Sequence, residues 1–80
     1  MSREEHALPA LTPMETRLWE VLRGEPQRTF SRAELVARVM PDTIVLVRTI
    51  DVHIRALRKK LGEAARHIQT VRRAGYRYVP

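Results

Sequence analysis

Arg48, Arg55 and Lys59 recur at intervals that gather them on one side of a helix, with Thr49, Val52 and Ala56 among them. An arginine can donate two hydrogen bonds to the acceptor edge of guanine, and a methyl group can pack on the methyl of thymine. Guanidinium and methyl groups turned outward from a rigid rod are therefore suited to a DNA major groove. The rod must be held from behind. Val47, Ile50, Ile54, Leu57 and Leu61 line up at helical spacing as one apolar stripe opposite the basic face. Residues 46–61 are thus read as one helix with two faces. Taken alone, a charged helix face is as often simply solvated as engaged.

The placement of charge decides between those readings. The 80 residues carry 15 Lys+Arg and 9 Asp+Glu, a net charge of +6. Up to residue 47, six basic side chains stand against seven acidic ones; from residue 48 onward, nine stand against two, a change from −1 to +7. The whole excess lies in the C-terminal part, and a one-sided positive potential suits a polyanion.

Other classes have little support. The length allows one small domain, and 44% hydrophobic residues suffice for its core. Without cysteine there is neither a disulfide nor a thiolate metal site, and His6, His53 and His67 do not have ligand spacing. No metal or cofactor is expected. No apolar run reaches membrane-spanning length, and Glu4 and Glu5 make residues 1–10 unlike a signal peptide. A phosphate-binding glycine loop, a nucleophile elbow and a carboxylate pair are all lacking, so no enzymatic activity is expected.

The elements that must position the basic face carry clear local signals. Residues 1–10 read as a flexible leader or remnant strand, and residues 11–80 as the domain. Thr12, Pro13 and Glu15 form a capping box with proline in the first helical position. Met14, Leu18, Val21 and Leu22 give that helix its buried face, with Trp19 beside it, and Gly24 and Pro26 end it. Arg28-Thr29-Phe30 is long enough only for an edge strand or a connector. Ser31 and Glu34 form a second box, Phe30 and Leu35 a hydrophobic staple, and Pro41 closes the second helix. Residues 41–46 fit either a short strand or an early helical turn. Asp51 is expected to orient a neighbouring arginine or to favour the helix start. Residues 63–67 read as a polar connection. Two β-rich runs, 67–72 and 76–79, then flank Ala74-Gly75 as a hairpin tip. The fold class is mainly α with a small β component: a winged helix-turn-helix of three helices and a C-terminal β-hairpin wing over 67–79.

The segments LTPMETRLWEVL, TFSRAELVARVM, RTIDVHIRALRKKL and IQTVRRAGYRYV, in that order, resemble the DNA-binding effector domain of OmpR/PhoB-type response regulators. The turn at residues 40–42 and the apolar residues after it also resemble ToxR/CadC-type domains. The resemblance implies a third helix in the major groove and a wing at the adjacent minor groove. Arg48 and Thr49 match positions near phosphates, and Val52, His53, Arg55 and Arg58 match the DNA-facing and backbone-facing sides of the helix. Thr70 and Tyr76 match phosphate-contacting or supporting positions, and Arg72 matches the arginine that enters the minor groove. Lys59, Lys60 and Arg73 add charge to the same surface. A bacterial, cytoplasmic, phosphorelay-controlled transcriptional regulator is implied, binding direct repeats as a head-to-tail pair and able to contact RNA polymerase.

Some positions depart from the family. Ala56 stands where a base-reading arginine is frequent, Leu46 and Val47 where polar residues precede the helix, Thr16 for a large aromatic and Arg73 for a customary glycine. The sheet and the receiver domain that go with such domains have no counterpart in these residues; an excised effector domain and a shortened relative both fit. Two other functions are compatible with the fold: a protein-interaction module gripping a partner through the apolar 44–47 loop, and an RNA binder.

Overall fold

Two capping boxes set where the first two helices begin. In the computed structural model, which describes residues 10–41 and 46–80, Thr12 Oγ1 accepts from the Glu15 amide at 3.1 Å and Glu15 Oε1 accepts from the Thr12 amide at 2.9 Å. This starts helix α1, Pro13–Gly24. The same reciprocal pair between Ser31 and Glu34 starts α2, Arg32–Val39. Both boxes satisfy amides that a helix start otherwise leaves without partners. Phe30 and Leu35, the expected staple, are fully buried in one core.

The third helix, α3, covers Thr49–Leu61, three residues shorter at its start than the apolar spacing suggests. Residue 48 offers no side-chain cap. The first amides instead bond three residues back, Thr49 to Leu46 O, Ile50 to Val47 O and Asp51 to Arg48 O, which makes a tight entry turn. Val47 consequently falls outside the stripe and is 43% exposed, while Ile50, Ile54, Leu57 and Leu61 are buried. The expectation for residues 42–45, strand or helical turn, lies outside the described residues, as does that for 1–9.

Helix α3 ends where Gly62 takes a left-handed φ of 60°. The polar connection that follows is wound into a 3-10 helix, Gly62–His67. Strands β1, Ile68–Val71, and β2, Gly75–Tyr78, then pair antiparallel with Ile68 opposite Tyr78 and Val71 opposite Gly75. This register corrects the expected tip: Gly75 belongs to the strand, and the loop is Arg72-Arg73-Ala74. Arg28-Thr29-Phe30 contributes a single bridge, in which Phe30 and Tyr76 exchange amide–carbonyl bonds of 2.8 and 3.0 Å. Glycine at 75 permits that approach, because a Cβ there would run into the Phe30 carbonyl.

The layers follow from these faces. α1 lies against both other helices and β2, α2 also packs on α3, and Leu18, Leu22, Phe30, Leu35, Val39, Ile50, Ile54 and Leu57 fill the middle. Trp19 meets Tyr78 edge-on at 5.5 Å, and His67 stacks on the same tyrosine at 5.3 Å, closing the C-terminal strand onto α1. The result is the expected mainly α winged helix-turn-helix.

Candidate nucleic-acid interface

With the core side of α3 fixed by Ile50, Ile54, Leu57 and Leu61, the opposite side must face away from the domain. Arg48, Val52, Arg55 and Lys59 are exposed there, Val52 to 65%, and Thr49, His53 and Ala56 are half-buried around them. Asp51, Val52 and Arg55 line a shallow depression on this surface. At the wing, Thr70, Arg72 and Arg73 are exposed.

Carboxylate pairing of the basic residues is concentrated on α2 and the loop before it. Arg28 pairs with Glu25 and Glu34, both at 2.8 Å, Arg38 reaches Glu25 at 3.7 Å, and Arg32 holds Asp51 at 2.7 Å. Carboxylates thus neutralise much of the basic charge on the α1–α2 side. Among the described residues, Arg48, Arg55, Lys59, Arg72 and Arg73 have no carboxylate partner; Arg17, Arg23, Arg66 and Arg77 have none either, but they do not lie on the outer face of α3 or the wing tip. An uncompensated set of cations on one helix face and one loop tip is a site for an anion with extent.

Three of the residues expected at this surface are engaged within the domain. Lys60 Nζ lies 2.8 Å from Glu15 Oε1, the same buried carboxylate that caps α1. This pairing removes its ammonium from the outward face. Tyr76 is 5% exposed, and its hydroxyl donates to Asp51 Oδ1. It braces α3 from within the domain. Arg58 Nη2 donates to the Ile68 carbonyl at 2.8 Å and to Thr70 Oγ1 at 2.9 Å, which ties α3 to the wing.

Asp51 is the hub of this support. Its Oδ1 accepts from both Tyr76 and Arg32, and the guanidinium groups of Arg32 and Arg58 stand 5.2 and 5.6 Å from the Tyr76 ring centroid. The Tyr76 hydroxyl and then the Arg32 guanidinium hold the Asp51 carboxyl below its ordinary pKa, against an opposing effect of burial. Burial, followed by the Asp51 bond, pushes the Tyr76 hydroxyl upward. The hydrogen bond from Lys60 does most to lower Glu15. The arginine that Asp51 orients comes from α2, 19 positions away, not from its own helix. Arg32 and Glu15 are therefore parts of the site's framework that spacing along α3 does not reveal.

A helix with a basic outer face, packed into a three-helix core with a hairpin beside it, defines a winged helix-turn-helix. The family model described as "Transcriptional regulatory protein, C terminal" matches residues 6–78. The phosphate regulon transcriptional regulatory protein PhoB of Pseudomonas aeruginosa is 43% identical over 68 residues, which cover 82% of this chain and 30% of PhoB. The DNA-binding domain of the response regulator AdeR, solved in complex with an intercistronic region, superposes with a TM-score of 0.79 at 34% identity, covering 89% of this chain and 74% of that one. The DNA-binding domain of Escherichia coli CadC gives 0.80 at 28% identity, covering 90% and 72%. The chain belongs to the transcriptional regulatory protein C-terminal family, the winged-helix DNA-binding effector domain of OmpR/PhoB-type response regulators. It spans about 30% of the length of PhoB.

Proposed function

We propose that the protein binds double-stranded DNA with sequence preference, α3 entering the major groove while the wing addresses the neighbouring minor groove. The observation that carries this reading is the set of cations without carboxylate partners on the outer face of α3 and the wing tip, among the described residues. Arg48 and Lys59 neutralise phosphates, Thr49 and His53 approach the backbone, and Val52 and Arg55 meet base edges. Thr70 accepts from Arg58, which leaves its own hydroxyl proton for a phosphate oxygen. Arg72 enters the minor groove. Arg58, Lys60 and Tyr76 position these groups from within.

In the fuller reading, the protein serves a two-component transcriptional regulator in the bacterial cytoplasm, pairs head to tail on direct repeats and works without catalysis or a cofactor. No helix among the described residues is long and apolar enough to cross a membrane. The exposed Leu46 and Val47 favour an additional protein contact, such as RNA polymerase, beside the DNA-reading face.

Titration of duplexes across a salt series, with randomised-site selection, tests the proposal: affinity must fall steeply with salt, and a direct repeat must emerge. Arg55→Ala is expected to relax preference at one base pair by about 1–3 kcal/mol. Unchanged preference would remove Arg55 from the bases. Lys60→Met is expected to lower stability by about 1 kcal/mol, through the loss of the Glu15 partner, without altering the salt slope. A shallower slope in that variant would return Lys60 to the phosphate backbone.

A further inference from the structure

The wing loop contains a conformation that its own residue resists. Arg73 has a φ of 65°, in the left-handed region where a Cβ is disfavoured and glycine is at ease. The hairpin turn uses this conformation, the Ala74 amide donating to the Val71 carbonyl at 2.9 Å across it, but among the described residues the Arg73 side chain has no hydrogen bond, ion pair or aromatic partner, and it is exposed. Glycine would close the same turn with less strain, so the guanidinium itself has no work inside the fold, which points to a use outside it. The loop is three residues long, so Arg73 stands directly beside exposed Arg72, and Ala74 is too small to screen either guanidinium. Two adjacent guanidinium groups, planar and weakly hydrated, suit a narrow groove of deep negative potential.

We infer that Arg73 is a second minor-groove cation of the wing tip, which together with Arg72 makes the protein prefer narrow, A·T-like minor grooves. This rests on the DNA-binding reading above. The guanine 2-amino group is the minor-groove feature that distinguishes G·C from A·T. Inosine lacks it, so an I·C pair offers the major-groove edge of G·C with the minor-groove floor of A·T.

The test compares the chain with Arg73→Gly on three homopolymer duplexes, dA·dT, dG·dC and dI·dC, across a salt series, alongside thermal melts. The parent is expected to favour dA·dT and dI·dC over dG·dC. Arg73→Gly should lose that preference, and its salt slope should shrink by about one. Its melting temperature should hold or rise, by up to about 8 °C, as the loop relaxes. If the parent binds no duplex in a salt-dependent way, the DNA-binding reading itself fails. If the parent binds and Arg73→Gly keeps both slope and preference, Arg73 is a plain surface residue and the inference fails alone. A lowered melting temperature in Arg73→Gly would overturn it too, by making Arg73 a support of the fold.

Discussion

Gly75→Ala is expected to remove about 3–5 kcal/mol of stability, the strained backbone contributing about 1–3 kcal/mol and two lost hydrogen bonds the rest. The added Cβ would meet the Phe30 carbonyl, and the φ of 144° at residue 75 is one that side-chain-bearing residues rarely adopt. Relief requires moving Phe30, which is fully buried and exchanges two backbone bonds with Tyr76. An 80-residue domain has about 4–12 kcal/mol in all, so most molecules should lose the wing or unfold. Gly24 is the control, with open space around its Cβ position. Gly24→Ala should be neutral or slightly stabilising. Urea titrations followed by circular dichroism decide the matter: equal midpoints for the two variants would refute the close approach of strand and bridge.

Asp51→Ala is expected to cost about 2–3 kcal/mol, chiefly because it leaves the buried Tyr76 hydroxyl without its acceptor. Loss of the Arg32 pair adds little, since both of its side chains remain partly in water. Tyr76→Phe should be milder, because Asp51 keeps Arg32. The same group sets a response to acid. Asp51 has a lowered pKa, so its contribution is present above its unfolded value of about 3.9 and is lost as pH falls through the folded value. Glu15, lowered chiefly by Lys60, acts in the same direction. Melting temperatures measured from about pH 6 downward should therefore fall near and below pH 4, less steeply in Asp51→Asn than in the parent. Parallel curves would mean that Asp51 is not held by these partners.

What could be read from the chain alone was whatever acts over three or four residues. Thr12 with Glu15 and Ser31 with Glu34 each form both expected bonds, because a capping box is a local exchange. The basic face of α3 was equally legible, being a matter of helical period. Its first residue was not: the apolar run continues back through Leu46 and Val47, and no cap interrupts it. The hairpin tip was misplaced for a long-range reason. Ala74-Gly75 looks like a two-residue turn, but glycine is needed at 75 to let Phe30 approach from another part of the chain. The framework of the site was hidden in the same way. Lys60 and Glu15 lie 45 positions apart, and Tyr76 and Asp51 25. Pairings at that range leave no trace in periodicity.

The bonds from Arg58 to Ile68 and Thr70 have one more consequence. They fix the distance between reading helix and hairpin before any duplex arrives, so the molecule is a caliper with preset jaws. With α3 in the major groove as proposed, B-form DNA, whose grooves alternate at a regular gauge, is expected to fit such a tool, whereas an A-form duplex, with its major groove deep and pinched, offers the wrong gap. On that binding mode, selectivity between the two kinds of helix is a matter of span, which the Arg58 guanidinium helps to hold.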